Sequence, residues 1–144
     1  RMEMEDHNVN LVREMYDEFD DNNMDVIERI LARNVVVYRA GFPDALDKKT
    51  VQKMSQDFYL AFPDYYNIID EIFAHAHKVV VRLTFSGTHK NQFMGIEPTG
   101  RSIEYTGIHI WQIKEDHIVK GWVQEDLLTL MSQLGVETEP KKAA

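Results

Sequence analysis

Side chains able to do chemistry on a small molecule gather near the end of the chain: the imidazole of His109, the indoles of Trp111 and Trp122, and the carboxylate of Asp126. Asp126 follows Trp122 by four residues, where the alternating run from Ile118 to Gln124 gives way to the helix-periodic run from Leu127 to Leu134. A carboxylate at the mouth of a strand, beside an aromatic wall and an imidazole, is suited to acid/base work in a small-molecule site. Asp126 is equally placed to cap the helix that follows it. The two roles pull its acidity in opposite directions, since enclosure raises a carboxyl pKa and cap hydrogen bonds lower it.

The elements that must position these residues are legible from periodicity. Val9, Val12, Tyr16 and Phe19 form one face of a helix from about Asp6 to Asp20, and Met24, Ile27 and Leu31 mark a short second helix. Val35 to Tyr38 reads as a strand. Asp47 is placed to cap a third helix with Val51, Met54 and Phe58 inward, closed by Phe62-Pro63. Strands follow over Tyr66–His75, Val79–His89, Ser102–Lys114 and Ile118–Gln124, and then a terminal helix from Leu127 to Leu134. Such short turns between long strands exclude an all-parallel sheet, which needs crossovers of about a dozen residues. The expectation is an α+β fold with a curved, mostly antiparallel sheet, N-terminal helices packed on its concave face and a short C-terminal helix.

Alternation sorts the sheet residues by face. Val79, Val81, Leu83 and Phe85 oppose Val80, Arg82, Thr84 and Ser86, while around Ile108 to Trp111 both faces carry large apolar groups. One face can be covered by the chain's own helices, so the other is expected to meet a second copy in a homodimer. Simple two-residue turns at Lys114–His117, whether centred on Glu115-Asp116 or Asp116-His117, place His109 and Trp111 on one face with Lys120, Trp122 and Gln124. Tyr16 and Phe58, on helix stripes, are positioned to roof a cavity there. Arg82 either points inward to hold a carboxylate or enolate oxygen, or outward to pair with an acid at the dimer contact.

Composition bounds the function. The 144 residues suit one domain, 1–144, with an ordered core over about 6–135 and a polar tail over 136–144. A net charge of −8 with scattered basic residues argues against nucleic acid as a ligand. No apolar run is long enough to span a membrane and the first residues are too acidic for a signal peptide, so a cytoplasmic protein is expected. There are no cysteines, and His75-Ala76-His77 falls at a turn without an obvious third ligand, so neither a metal nor any other cofactor is expected. The expected partner is a hydrophobic small molecule.

Four segments in order, Ala61-Phe-Pro-Asp64, Val79 to His89, Phe93 to Arg101 and Trp122 to Gly135, resemble the SnoaL-like polyketide cyclase family over most of residues 8 to 135. The resemblance implies the cone-shaped α+β barrel shared with nuclear transport factor 2 and ketosteroid isomerase. It also implies an intramolecular aldol closure without metal or covalent intermediate, in which an aspartate is the acid/base and a histidine assists. Asp126 and His109 are the nearest matches here. The family's turn usually has glycine after the acidic pair, where this chain has His117.

Asp126 and His109 are therefore the expected catalytic pair, with Trp122, Gln124, Trp111, Arg82, Tyr16 and Phe58 around the substrate. A non-catalytic ligand-binding module on the same cone is the alternative from another class. An isomerase or epoxide hydrolase would call for a second inward acid, which the simple-turn register does not supply.

Overall fold

The computed structural model describes residues 2–137; the part of the expected polar tail beyond residue 137 lies outside the described residues. The chain runs α1 (Met2–Asp20), α2 (Asp25–Ile30), β1 (Leu31–Arg39), α3 (Lys48–Ala61), β2 (Tyr66–His75), β3 (Lys78–Thr88), β4 (Ser102–Lys114), β5 (His117–Glu125) and α4 (Leu127–Gln133). The strands form one curved, unclosed sheet in the order β1-β5-β4-β3-β2. Every pair is antiparallel except β1 with β5. The α+β class and the placement of the helices follow the expectation, although α1 begins four residues earlier than its apolar stripe suggested.

Burial explains why the sheet curves around one face. Val79, Val81, Leu83 and Phe85 of β3, Ile103, Tyr105 and Ile113 of β4, and Val35 and Val37 of β1 are buried together with Val12, Tyr16, Val26, Ile27 and Ile30 of the helices. Asp47 caps α3, its carboxylate accepting the Thr50 N–H at 2.9 Å. At the far end of α3, Phe62 is wholly buried among rings, with centroids 4.8 Å from Phe58, 5.1 Å from Phe93 and 5.5 Å from His89. His89 ties the 89–101 loop to itself, its Nδ1 accepting the Thr99 N–H at 3.1 Å.

The β4–β5 turn decides which residues share the site. Lys114 pairs with His117, and Glu115 and Asp116 take the positive φ values of a two-residue hairpin turn, so His117 is a strand residue. Ile113 pairs with Ile118 but Gln112 pairs with Lys120, which leaves Val119 as an extra residue on β5. This bulge reverses the parity of everything beyond it. His109 then lies opposite Val123, Trp111 opposite Gly121 and Gly107 opposite Glu125, whereas Trp122 lies opposite Ile110. The expected grouping of His109 and Trp111 with Lys120, Trp122 and Gln124 is thus corrected: the helix-covered face holds His109, Trp111 and Glu125, and the outer face holds Trp122 and Gln124.

Asp20 joins α1 to the start of β2, its Oδ1 accepting the Asn67 backbone N–H at 3.0 Å and the Asn67 side-chain N–H at 2.7 Å. Burial pushes the carboxyl up to about 6, against the lowering effect of Asn67, and the charges of Asp17 and Asp21 add to the rise. The folded state therefore holds this proton more tightly than the unfolded chain, and stability falls as pH rises from the ordinary aspartate value to about 6. Asp20→Asn is expected to raise the thermal midpoint at neutral pH and to leave it unchanged in acid where Asp20 is protonated in both states. A midpoint that drops at neutral pH would contradict this.

Candidate functional site

A buried chain of hydrogen bonds crosses the helix-covered face of the sheet. The Trp111 indole N–H donates to the Tyr16 oxygen at 2.8 Å, and Tyr16 Oη lies 2.7 Å from His109 Nδ1. On the other side of the ring, His109 Nε2 lies 2.8 Å from Glu125 Oε2, and Arg39 donates to Glu125 Oε1 at 2.7 Å. Because an indole N–H can only donate, the partners assign one direction to the bonds: Trp111 to Tyr16, Tyr16 O–H to Nδ1, and Nε2–H to the carboxylate. Every polar atom of the ring is then satisfied, as a histidine only 7% exposed requires.

Several elements place these groups. Tyr16 comes from the buried stripe of α1, His109 and Trp111 are alternate residues of β4, and Arg39 and Glu125 end the parallel strands β1 and β5. Burial by itself would raise the Glu125 carboxyl, but the hydrogen bond from His109, joined by the charge and hydrogen bond of Arg39, overcomes it and holds the carboxyl below its ordinary value. The side chain is 9% exposed, so an ionised carboxylate sits almost out of water between two donors. Burial drives the Tyr16 phenol far upward, eased by the Trp111 bond and reinforced by the Glu125 charge, which keeps Tyr16 protonated at working pH. Tyr105, also buried, is raised in the same way.

On the outer side, a groove of about 930 Å³ is lined by Tyr38, Phe42, Ile108, Ile110, Trp122 and Gln124, with Arg82 and Asp126. Tyr38 and Trp122 stack at 6.3 Å between centroids, and Lys78 lies over the Trp122 ring at 4.9 Å. At the end of β5 the groove is also lined by Arg39 and Glu125. Glu125 therefore belongs to both places: it borders the groove and is bonded to His109 behind it.

The predicted site residues divide accordingly. Tyr16, His109 and Trp111 come together on the covered face; Trp122, Gln124, Arg82 and Asp126 share the outer groove; and Phe58 stays in the aromatic cluster with Phe62, Tyr65 and Phe93. Arg82 points outward, its Nε donating to Glu71 at 3.3 Å. Asp126 is exposed and caps α4, accepting the Thr129 N–H at 3.1 Å and the Thr129 hydroxyl at 2.6 Å, bonds that lower its pKa. It does not look into an enclosed space beside His109. Sequence reasoning missed Arg39 and Glu125. The signal for Glu125 was its place beside Asp126, and only the bulge at Val119 turns it toward His109.

Residues 10–134 match the model of the SnoaL-like polyketide cyclase family. No curated protein sequence matches the chain. Among solved structures, the chain is similar to IdmH of Streptomyces antibioticus, described as a candidate polyketide cyclase, at 26% identity over 88% of this chain and 97% of that one, with a TM-score of 0.76. It shares its fold with AclR of Streptomyces galilaeus, a candidate hydroxylase, at 23% identity, 88% and 93% coverage and a TM-score of 0.82. A candidate SnoaL-like polyketide cyclase from Jannaschia sp. CCS1 superposes with a TM-score of 0.83 at 17% identity, covering 93% and 95%. No helix among the described residues is long and apolar enough to cross a membrane.

Proposed function

Because the chain belongs to the SnoaL-like polyketide cyclase family, we propose that it performs acid/base chemistry on a hydrophobic carbonyl compound, with Glu125 as the proton-transferring group. The observation that carries this reading is that Glu125 lines the groove while His109 and Arg39 hold its two oxygens. Substrate lies along Tyr38, Ile110 and Trp122 with an acidic carbon at the Glu125 end. Glu125 takes a proton from a carbon flanked by two carbonyls, and the C–H electron pair moves into the enolate. That enolate attacks a second carbonyl of the same molecule, forming one C–C bond, and the resulting alkoxide recovers the proton from Glu125. A carboxylate with a depressed pKa is a modest base, sufficient because such carbons are already acidic and the geometry supplies much of the barrier reduction. Arg39 stabilises the oxyanion, and His109 acts through Glu125, fixing its orientation.

The test is deuterium uptake at the alpha carbon of flat aryl 1,3-dicarbonyl compounds, followed by NMR. Protein-dependent uptake above the buffer rate supports the proposal. Binding in the groove with no acceleration of exchange across such a panel would instead favour a ligand-binding module.

Away from the groove, the outer face of β2 carries exposed Tyr66, Ile68 and Phe73, and we infer a homodimer through this part of the outer sheet face. Light scattering at micromolar concentration is expected to return twice the monomer mass of 16.8 kDa, and Phe73→Glu to shift it toward the monomer. A monomeric mass for the unaltered protein would contradict this.

A further inference from the structure

Two members of the buried polar chain each lie over a glycine of the neighbouring strand. Glu125 is paired with Gly107, and Trp111 with Gly121. Backbone conformation does not explain these glycines, since the positive φ values fall at Gly41, Gly95, Gly100 and Gly135. Space does. A Cβ on Gly121 would sit 2.4 Å and 2.6 Å from Cζ3 and Cε3 of the Trp111 ring. A Cβ on Gly107 would sit 2.8 Å from Glu125 Cγ and 2.9 Å from Phe85 Cε2. Glycine inside a strand weakens it, and its presence marks a close approach of another group.

We infer that Gly107 and Gly121 are positioning residues, whose missing side chains make the room in which Glu125 reaches His109 and Trp111 reaches Tyr16. This rests on the proposed role of Glu125 for its catalytic consequence, but not for its geometry. The indole cannot tilt off Gly121 without pulling its N–H away from Tyr16, and Glu125 cannot lift from Gly107 without lengthening its bond to His109.

The test compares Gly107→Ala and Gly121→Ala with Gly87→Ala, a strand glycine whose Cβ would meet its nearest neighbour, Phe62 Cβ, at 3.3 Å. Nitrogen-15 NMR reads the His109 ring and the Trp111 indole N–H, and the deuterium-uptake assay reads the rate. Gly107→Ala is expected to move the His109 nitrogen resonances and to slow exchange about 100-fold, Gly121→Ala to move the Trp111 indole resonance toward that of a free indole, and Gly87→Ala to do neither. Folded variants with unmoved resonances would overturn the inference. Moved resonances with an unchanged rate would uphold the positioning and sink the role of Glu125. Should Gly121→Ala fail to fold, Trp111→Leu in the same chain removes the clashing ring and is expected to restore folding; failure to do so overturns the inference.

Discussion

Glu125→Gln is expected to lower the rate of alpha-proton exchange by about 10²- to 10⁴-fold, the range over which a positioned general base contributes. Glutamine preserves the shape of the side chain but cannot hold the proton, and its NH2 must face either the Arg39 or the His109 donor. If Glu125 and His109 act as one unit, adding His109→Gln should reduce the rate little further, because groups that act together give strongly non-additive losses. The pH profile supplies a second reading of the same residue. The folded pKa of Glu125 lies below the ordinary value of 4.5, so the acid limb of the rate should fall below that value. The stability that His109 and Arg39 confer is present above the unfolded pKa and is lost as pH falls through the lowered folded one. An acid limb centred well above 4.5 would point to a different base.

Phe62→Ala is expected to destabilise the fold by about 3–5 kcal/mol. The ring is fully buried and is surrounded by Phe58, Phe93 and His89, at the point where α3 ends and the 89–101 loop is held against it. Lys90 N–H reaches the Ala61 carbonyl at 2.9 Å beside it, so the backbone would resist collapse into the void. Urea unfolding should show a lower midpoint with little change in slope, while the exchange rate measured where the variant is still folded should stay near that of the parent. A loss below about 1 kcal/mol, far under the cost of emptying a packed aromatic site, would mean that the loop and helix end adapt to the cavity.

The fold was largely legible because helix stripes and strand alternation are local. The spans Tyr66–His75 and Ser102–Lys114 appear in the structure with the limits their alternation suggested. The site was not, for two physical reasons. A single extra residue, Val119, exchanges the faces of all that follows on β5, and the residue itself, neither glycine nor proline, does not announce it. The remaining contacts are long-range: Tyr16 meets His109 across 93 positions and Arg39 meets Glu125 across 86. Periodicity correctly placed Tyr16 on the inner stripe of α1 and His109 with Trp111 on one strand face, but could not say which acid would complete them. Asp126 was visible for both of its possible uses, and the structure displays the cap.

Asp126→Asn separates the two neighbouring acids, because the family resemblance points to Asp126 and the hydrogen bonds to His109 and Arg39 point to Glu125. A rate within about threefold of the parent is expected in the deuterium-uptake assay, with a small loss of thermal stability, since replacing a capping aspartate by asparagine leaves much of the cap intact. A rate reduced by two orders of magnitude or more in a fully folded Asp126→Asn protein, alongside near-normal exchange by Glu125→Gln, would contradict the role of Glu125.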